Sequence, residues 1–379
     1  MSSLPAHPTH VLIDVEAFRS NFRIVRSLVG PDVGIMPIVK ANAYGHGVVT
    51  LSNAAIEEGA KILGVARSTE AFRLRDEGIR HRTLILEVVP HHHEERCIRE
   101  ECELTIVSEA SAGRLNETAR VLGKRAKVHV KIDTGMTRLG IPFENALNVV
   151  AAVAQMPNLV IEGVFSHFAT AEAEDQSFAQ LQLERFRSIL SSLEASGIHP
   201  PLVHMANSGA IITLPDSHFT MVRPGLMLYG YVPRRGMNVE PELKHVLSLQ
   251  SVVTQLKTVP AGTSVSYGRT YTTMVESRIA TIPIGYADGY SRLLSNRGGV
   301  VIRGRKYPVA GTVCMDHITV DVGMDAEVQE GDAVVLIGRD NDQEISCWDI
   351  AELMGTIPYE VTCLLTSRVP RVTKNSEGT

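Results

Sequence analysis

The sequence predicts an α/β chain in two parts: a (β/α)8 barrel over residues 1–243, then a mostly β domain over 244–379. Three observations predict it. Eight β-branched apolar runs alternate with helix-period segments up to residue 222. Strict strand and helix alternation implies parallel pairing through crossover helices, and eight such units point to a closed barrel. Beyond residue 243 the texture changes to strands joined by glycine- and proline-containing turns. An open doubly wound sheet is the runner-up, but it would usually carry a glycine-rich dinucleotide turn after its first strand, and no G-x-G-x-x-G occurs.

The apolar runs lie at 35–39, 62–66, 83–87, 104–107, 127–132, 159–166, 202–205 and 219–222. Between them are amphipathic stretches such as 68–78, opened by a Ser or Thr cap and stopped by Gly78. In the second part, strands are expected at 247–256, 277–283, 299–303, 317–322 and 333–337, with one helix at 346–354. The segment 11–15 falls in the barrel range, with packing against the second domain as its alternative. The polar tail 374–379 is expected to fray.

A chain of 379 residues with 44% hydrophobic and 21% charged residues has the composition of a globular protein with a sizeable core. Its net charge of −5 leaves no electrostatic footprint for nucleic acid or an anionic membrane, so a small-molecule partner is the default. Residues 1–10 contain Pro5 and Pro8 and neither a basic leader nor an apolar stretch. The longest apolar candidate, 147–156, is well short of the roughly 18 residues of a membrane span. A cytoplasmic protein is expected. Five cysteines with no C-x-x-C pair argue for free, mostly buried thiols and against disulfides or zinc. His91, His92 and His93, followed by Glu94, Glu95 and Arg96, read as the solvated face of a crossover helix and not as a metal site.

The reactive residues of a barrel lie at the C-terminal ends of its strands, with phosphate sites after strands seven and eight. Lys40 follows the first strand and precedes a glycine-rich turn. Its amine can form a Schiff base with a carbonyl or act as a base. Lys131 ends the fifth strand with Arg138 beyond it, and His167 follows the sixth. Asn207, Ser208 and Gly209 follow the seventh strand; Arg223, Pro224 and Gly225 follow the eighth. Hydroxyl and amide donors in these two places suit a phosphate ester. A Schiff-base lysine plus a phosphate site suggests pyridoxal 5′-phosphate, an electron sink for a carbanion at an amino acid α-carbon. If Arg223 faces the pyridine nitrogen, it can only donate, so the ring stays unprotonated. A weakened sink disfavours transamination and suits simple proton exchange.

Eight ordered motifs then match a family. VKANAYGHG (39–47), KIDTGMTRLG (131–140), SHFAT (166–170), ANS (206–208), VRPG (222–225), VSYG (265–268), GYADG (285–289) and VCMD (313–316) make the chain resemble alanine racemase over almost its full length. The resemblance implies a homodimer with shared active sites that interconverts L- and D-alanine and supplies D-alanine for cell-wall peptidoglycan. It gives Lys40 the roles of cofactor anchor and base for one face of the substrate. Tyr267, from the second domain of the partner subunit, serves the other face. Racemisation needs two acid/base groups on opposite sides of a planar carbanion. An ordinary tyrosine is a poor base at neutral pH, and the resemblance has His167 bridging Tyr267 and Arg223 to supply the perturbation. It also gives the phosphate to Tyr44, Ser208, Gly225, Leu226 and Tyr359, with Asn207 in the same shell. Arg138 and the Met315 amide are implied for the substrate carboxylate, with Asp316 in support. Lys131 is implied as a carbamylated lysine orienting Arg138, and Tyr286, Arg292 and Glu172 as the lining of an access corridor. A broader racemase acting on serine is the alternative activity; a decarboxylase is opposed by Arg223, and a cofactor carrier by Tyr267.

Overall fold

The computed structural model describes residues 7–324 and 327–374; the tail expected to fray lies, beyond Lys374, outside the described residues. The chain divides into two compact units, one made of 18–43 and 48–244, the other of the described residues up to Ala17 with 44–47 and 245 onward.

The first unit is the barrel. Its strands are β1 (Gly34–Ile35), β2 (Leu63–Val65), β3 (Thr83–Ile85), β4 (Glu103–Ile106), β5 (Ala126–Asp133), β6 (Leu159–Phe165), β7 (Leu202–His204) and β8 (Met221–Val222). From β2 to β8 each strand pairs in parallel with its sequence neighbours, β8 pairs with β1, and a parallel bridge from Ile38 to Gly64 joins the first strand's continuation to β2. That bridge closes the ring. Each expected apolar run overlaps one of these strands. Both faces of a barrel strand are covered, which is why the runs are continuous rather than alternating; β2 and β4 are buried at every residue. Crossover helices start where a side chain satisfies an orphan amide. Ser108 Oγ, for example, accepts from the Ser111 N–H at 3.1 Å to open the helix Glu109–Val121. The helix Ser68–Asp76 departs from the expected Ser or Thr cap: Arg67 holds the cap position, and the Ser68 hydroxyl bonds His93 instead, 2.8 Å away.

In the second unit the strand His10–Ile13 lies between Leu247–Val252, antiparallel, and Arg371–Thr373, parallel. This corrects the expected division, which placed the first residues with the barrel. Val11 and Ile13 are fully buried, and the strand's hydrogen bonds run to the C-terminal sheet on both sides. The same sheet includes Gly299–Ile302 and Ala333–Asp340. A second, three-stranded sheet holds Gln255–Val259, Ser277–Ile282 and Ile318–Asp321. Ser346 caps the expected helix, Cys347–Met354, and a further helix, Pro358–Leu364, follows it. Residues 44–47 join this unit because Gly45 is pressed against the Thr362 backbone, where any Cβ would collide, while Arg371 Nε donates to the Gly45 carbonyl at 3.0 Å. All five cysteines are free, with Cys97, Cys102 and Cys347 buried. Among the described residues no helix is long and apolar enough to cross a membrane.

Candidate active site

Lys40 opens a turn that L-residues rarely adopt. Ala41, Asn42, Ala43 and Tyr44 all have φ between 52° and 55°, and the left-handed conformation costs roughly 1–2 kcal/mol per non-glycine residue. Specific bonds hold the turn in place. Glu70 Oε1 accepts from the Ala41 N–H at 2.6 Å, and its Oε2 accepts from the amides of Ala66 and Arg67. Asn42 Oδ1 accepts from Val48 at 3.1 Å, and Ala43 N–H donates to the Val39 carbonyl. Just upstream, the Tyr229 hydroxyl donates to the Ile38 carbonyl at 2.8 Å. The lysine therefore leaves the first strand from a fixed, strained turn.

Arg223, after β8, is 5% exposed. One terminal nitrogen donates to His204 Nδ1 at 2.9 Å; the other lies 2.7 Å from the Ser166 carbonyl, 3.0 Å from His167 Nδ1 and 3.1 Å from the Met205 carbonyl. Burial pushes the guanidinium down to about 9, which leaves it protonated at neutral pH. Because arginine has no acceptor, His167 receives the bond on Nδ1 and keeps its proton on Nε2. Burial, reinforced by Arg223, holds His167 well below its ordinary value, so it is the neutral imidazole. Gln182, fully buried, locks this loop: its amide donates to the His167 carbonyl and its oxygen accepts from Ala169.

Lys131 is buried, and its ammonium lies 5.4 Å from the Phe165 ring centroid. Burial first, then Arg223, Arg138 and Lys40, push it down to about 8. Four cationic side chains thus share one end of the barrel. The Arg138 loop is shaped by Asp133 Oδ1, which accepts from Gly135 at 2.9 Å and Thr137 at 3.1 Å. Arg138 itself is exposed and has no ion pair among the described residues.

After β7, Asn207 Oδ1 caps the helix Ser208–Thr213 by accepting from Ala210. Ser208 Oγ accepts from Gly225 at 3.0 Å and from Met227 at 3.3 Å. Two donors on that oxygen leave its own proton to be given outward. Gly225, expected as a phosphate donor, spends its N–H on Ser208, so Ser208 and the Leu226 amide are the donors left over. Glu172 lies in the same unit, its carbonyl accepting from Arg234 Nε.

The other expected residues belong to the second unit. Tyr44 and Tyr359 pair with ring centroids 5.9 Å apart, and burial, then Tyr359 and Cys363, raise the Tyr44 phenol far above its ordinary value. It is a permanent donor. Tyr267 is 72% exposed at the tip of a turn strained at Ser266, with φ 63°, and at Arg269, with φ 52°. That turn is tied down by Thr312 Oγ1, which donates to the Tyr267 carbonyl at 2.8 Å, and by Ser266 Oγ, which donates to the Thr312 carbonyl. Met315 is 52% exposed, and its carbonyl accepts from Ala287. Asp316 pairs with Arg368 at 2.7 Å. Tyr286 and Arg292 are both exposed.

Sequence reasoning missed Glu70, Gln182 and a buried run of Glu103, His129 and His204. The signal for the last was Gly163, since an isolated glycine inside a strand marks a close approach. A Cβ there would lie 2.5 Å from His129 Nδ1. Of the three successive histidines, His91 bonds Glu94 and His93 bonds Ser68, and no metal-holding cluster occurs among the described residues.

Comparison with known proteins agrees across the chain. The family model described as alanine racemase, N-terminal domain, matches residues 13–233, and that described as alanine racemase, C-terminal domain, matches 246–373. An alanine racemase of Halothermothrix orenii is 42% identical over 100% of both chains. One of Methanococcus maripaludis is 40% identical over 97% of this chain and 99% of its own. Among solved structures, an alanine racemase of Clostridium difficile superposes with a TM-score of 0.95 at 35% identity, covering 98% of this chain and 97% of the other.

Proposed function

The chain belongs to the alanine racemase family, and from that premise we propose how its residues divide the work of interconverting L- and D-alanine. The activity is that of a pyridoxal-phosphate-dependent isomerase acting on alanine. The observation that carries the division of labour is the all-acceptor surround of Arg223, which is buried and donates to His204, His167 and two carbonyls.

The donor set fits the cofactor. Ser208 and Leu226 have protons to give to a phosphate, and Arg223, a group that can only donate, would hold an unprotonated pyridine nitrogen. Tyr44 and Tyr359 join the phosphate donors on the strength of the family likeness, and Asn207 supports the shell as the cap of the Ser208 helix. When bound, pyridoxal phosphate delocalises the negative charge left at the substrate's Cα once its proton is removed. Everything else falls to the protein. Lys40 Nζ removes or returns the Cα proton on one face, and Tyr267 Oη of the partner subunit does so on the other. The His167 Nε2–H donates to that phenolate and stabilises it. Arg138 and the Met315 amide hold the substrate carboxylate, Asp316 steadies the Met315 turn through Arg368, and Tyr286, Arg292 and Glu172 line the access corridor.

Two features support a homodimer with shared sites. Tyr267 and Met315, the second unit's groups assigned to substrate, are both more than half exposed, and the turn carrying Tyr267 is nonetheless tied down. The environment of Lys131 supports its carbamylation. Its neutral amine attacks carbon dioxide, an N–C bond forms, one proton is released, and a carbamate anion replaces the fourth cation of the cluster. The product, D-alanine, suits cell-wall synthesis, and five free thiols suit the reducing cytoplasm.

The test is one sample carried through three readings: visible absorbance of the purified protein, borohydride reduction, and chiral analysis of products from L-alanine and L-serine. Cofactor fixed on Lys40 with D-alanine as the main product supports the assignment. Fixation on another lysine overturns the role of Lys40, and faster turnover of serine overturns the preference for alanine.

A further inference from the structure

Glu103, His129 and His204 are buried to 1% exposure or less, come from three different barrel strands, and have no part in the reaction as derived above. They form one continuous line. Glu103 Oε2 lies 2.7 Å from His129 Nε2, His129 Nδ1 lies 2.9 Å from His204 Nε2, and His204 Nδ1 lies 2.9 Å from Arg223.

The two ends of this line fix every proton in it. Arginine can only donate and an ionised carboxylate can only accept. His204 therefore accepts on Nδ1 and donates from Nε2, and His129 does the same. Glu103 receives the last proton. Burial opposes its ionisation, but hydrogen bonds from His129 and Arg82 outweigh burial and hold its carboxyl at about 2. Burial, then Arg223, keeps His204 neutral by holding it well below its ordinary value. A further proton on either ring would set donor against donor in a dry interior, where an unpaired polar group is costly.

The packing around the line serves the same order. His204 stacks on Phe165 with an interplanar angle of 10°, and Arg223 lies 5.4 Å from the same ring centroid. Gly163 supplies the space for the His129 ring, since any Cβ would overlap it.

We propose that Glu103, His129 and His204 are positioning residues of the racemase, a proton-ordered chain that locks Arg223 as a donor toward the cofactor's ring nitrogen and so sets the strength of the electron sink from deep in the barrel. The proposal rests on Arg223 facing that nitrogen. Gly163 belongs to the same device as the residue that makes room for it.

The experiment is nitrogen NMR of holoenzyme carrying 15N-labelled histidine, with His129 and His204 assigned. Both rings are expected neutral and protonated on Nε2; a doubly protonated ring or an Nδ1–H form at either position overturns the chain without any substitution. The functional half uses Gly163→Ala, which displaces His129 while leaving every ionisable group in the sequence. Its holoenzyme should lose the tautomer order, shift the cofactor's absorbance maximum and lose roughly tenfold or more in kcat, with KM for alanine within about twofold. A lowered melting temperature with absorbance and kcat unchanged marks a merely structural role and overturns the proposal. Glu103→Gln is the second variant, because Arg82 and His129 both donate to Glu103 and a carboxamide has a single acceptor oxygen. The underlying assignment fails separately: Arg223→Lys with an unshifted absorbance removes the ring-nitrogen contact while the wild-type tautomers still stand.

Discussion

In the barrel unit Arg223 is 5% exposed and bonded to two histidines and two carbonyls, whereas in the C-terminal unit Tyr267 is 72% exposed and held through its backbone. One unit solves an electrostatic problem and the other a presentation problem. A buried cation needs every donor matched, because an unmatched one costs its full desolvation penalty. A side chain proposed to complete another subunit's site needs a stiff pedestal and an open face, which the strained Ser266 turn and its Thr312 bonds provide. On the proposed assignment, the contrast is that of a group completed within its own chain and a group completed by assembly.

Mixing two dead variants breaks or confirms that contrast most sharply. Lys40→Ala and Tyr267→Phe should each lower racemisation by roughly 10²–10⁴-fold. Dimers mixed from the two place both lesions in one shared site and leave the other intact, so unfolding and refolding an equal mixture should restore roughly a quarter of the wild-type rate. Sites contained within single chains would carry one lesion each, and no activity would return.

The two regions also differ in how well the sequence announces them. The eight barrel strands were legible because a doubly covered strand must be continuously apolar; Lys40 alone reads as a lysine snorkelling at a strand end, and it stands out only beside the other ordered motifs. The strand His10–Ile13 was harder: chain proximity suggests the barrel, but its partners lie more than 230 residues away at Leu247–Val252 and beyond. Glu70 was hidden by the absence of Ser or Thr three positions earlier, where Arg67 stands. Glu103, His129 and His204 were hidden because their alignment depends on the register of the paired strands β4 to β7, which no local window contains.

Acid stability sharpens the buried half. Glu103 has a folded value of about 2 against an ordinary 4.5, so its contribution is fully present above pH 4.5 and lost as the pH falls through about 2. The size is on the order of 3 kcal/mol. Denaturant midpoints measured down this range should fall more steeply for the wild type than for Glu103→Gln; parallel curves would show that Glu103 is not held ionised by its partners.

A smaller effect concerns the cation cluster. The neutral fraction of Lys131 rises as the pH rises through about 8, so carbamate formation should increase over the same range. Labelled 13C-bicarbonate should give a carbamate carbon signal that Lys131→Ala abolishes, and depleting carbon dioxide should raise KM for alanine severalfold with less change in kcat. A signal that survives Lys131→Ala places the carbamate elsewhere.

The smallest effect isolates the strain behind Lys40. Ala41 is exposed, so replacing it by glycine loses little packing, yet it removes a Cβ held at φ 52°. Relief of roughly 1–2 kcal/mol is set against the roughly 0.5–1 kcal/mol that glycine's extra freedom costs on folding. Ala41→Gly should therefore raise the melting temperature by about 1–3 °C. The same freedom lets the lysine wander, since Glu70 then clamps a softer turn, and kcat should fall while the protein becomes more stable. A variant gaining both stability and kcat would show that the strain is an unavoidable cost of the chain's path and does not aim Lys40.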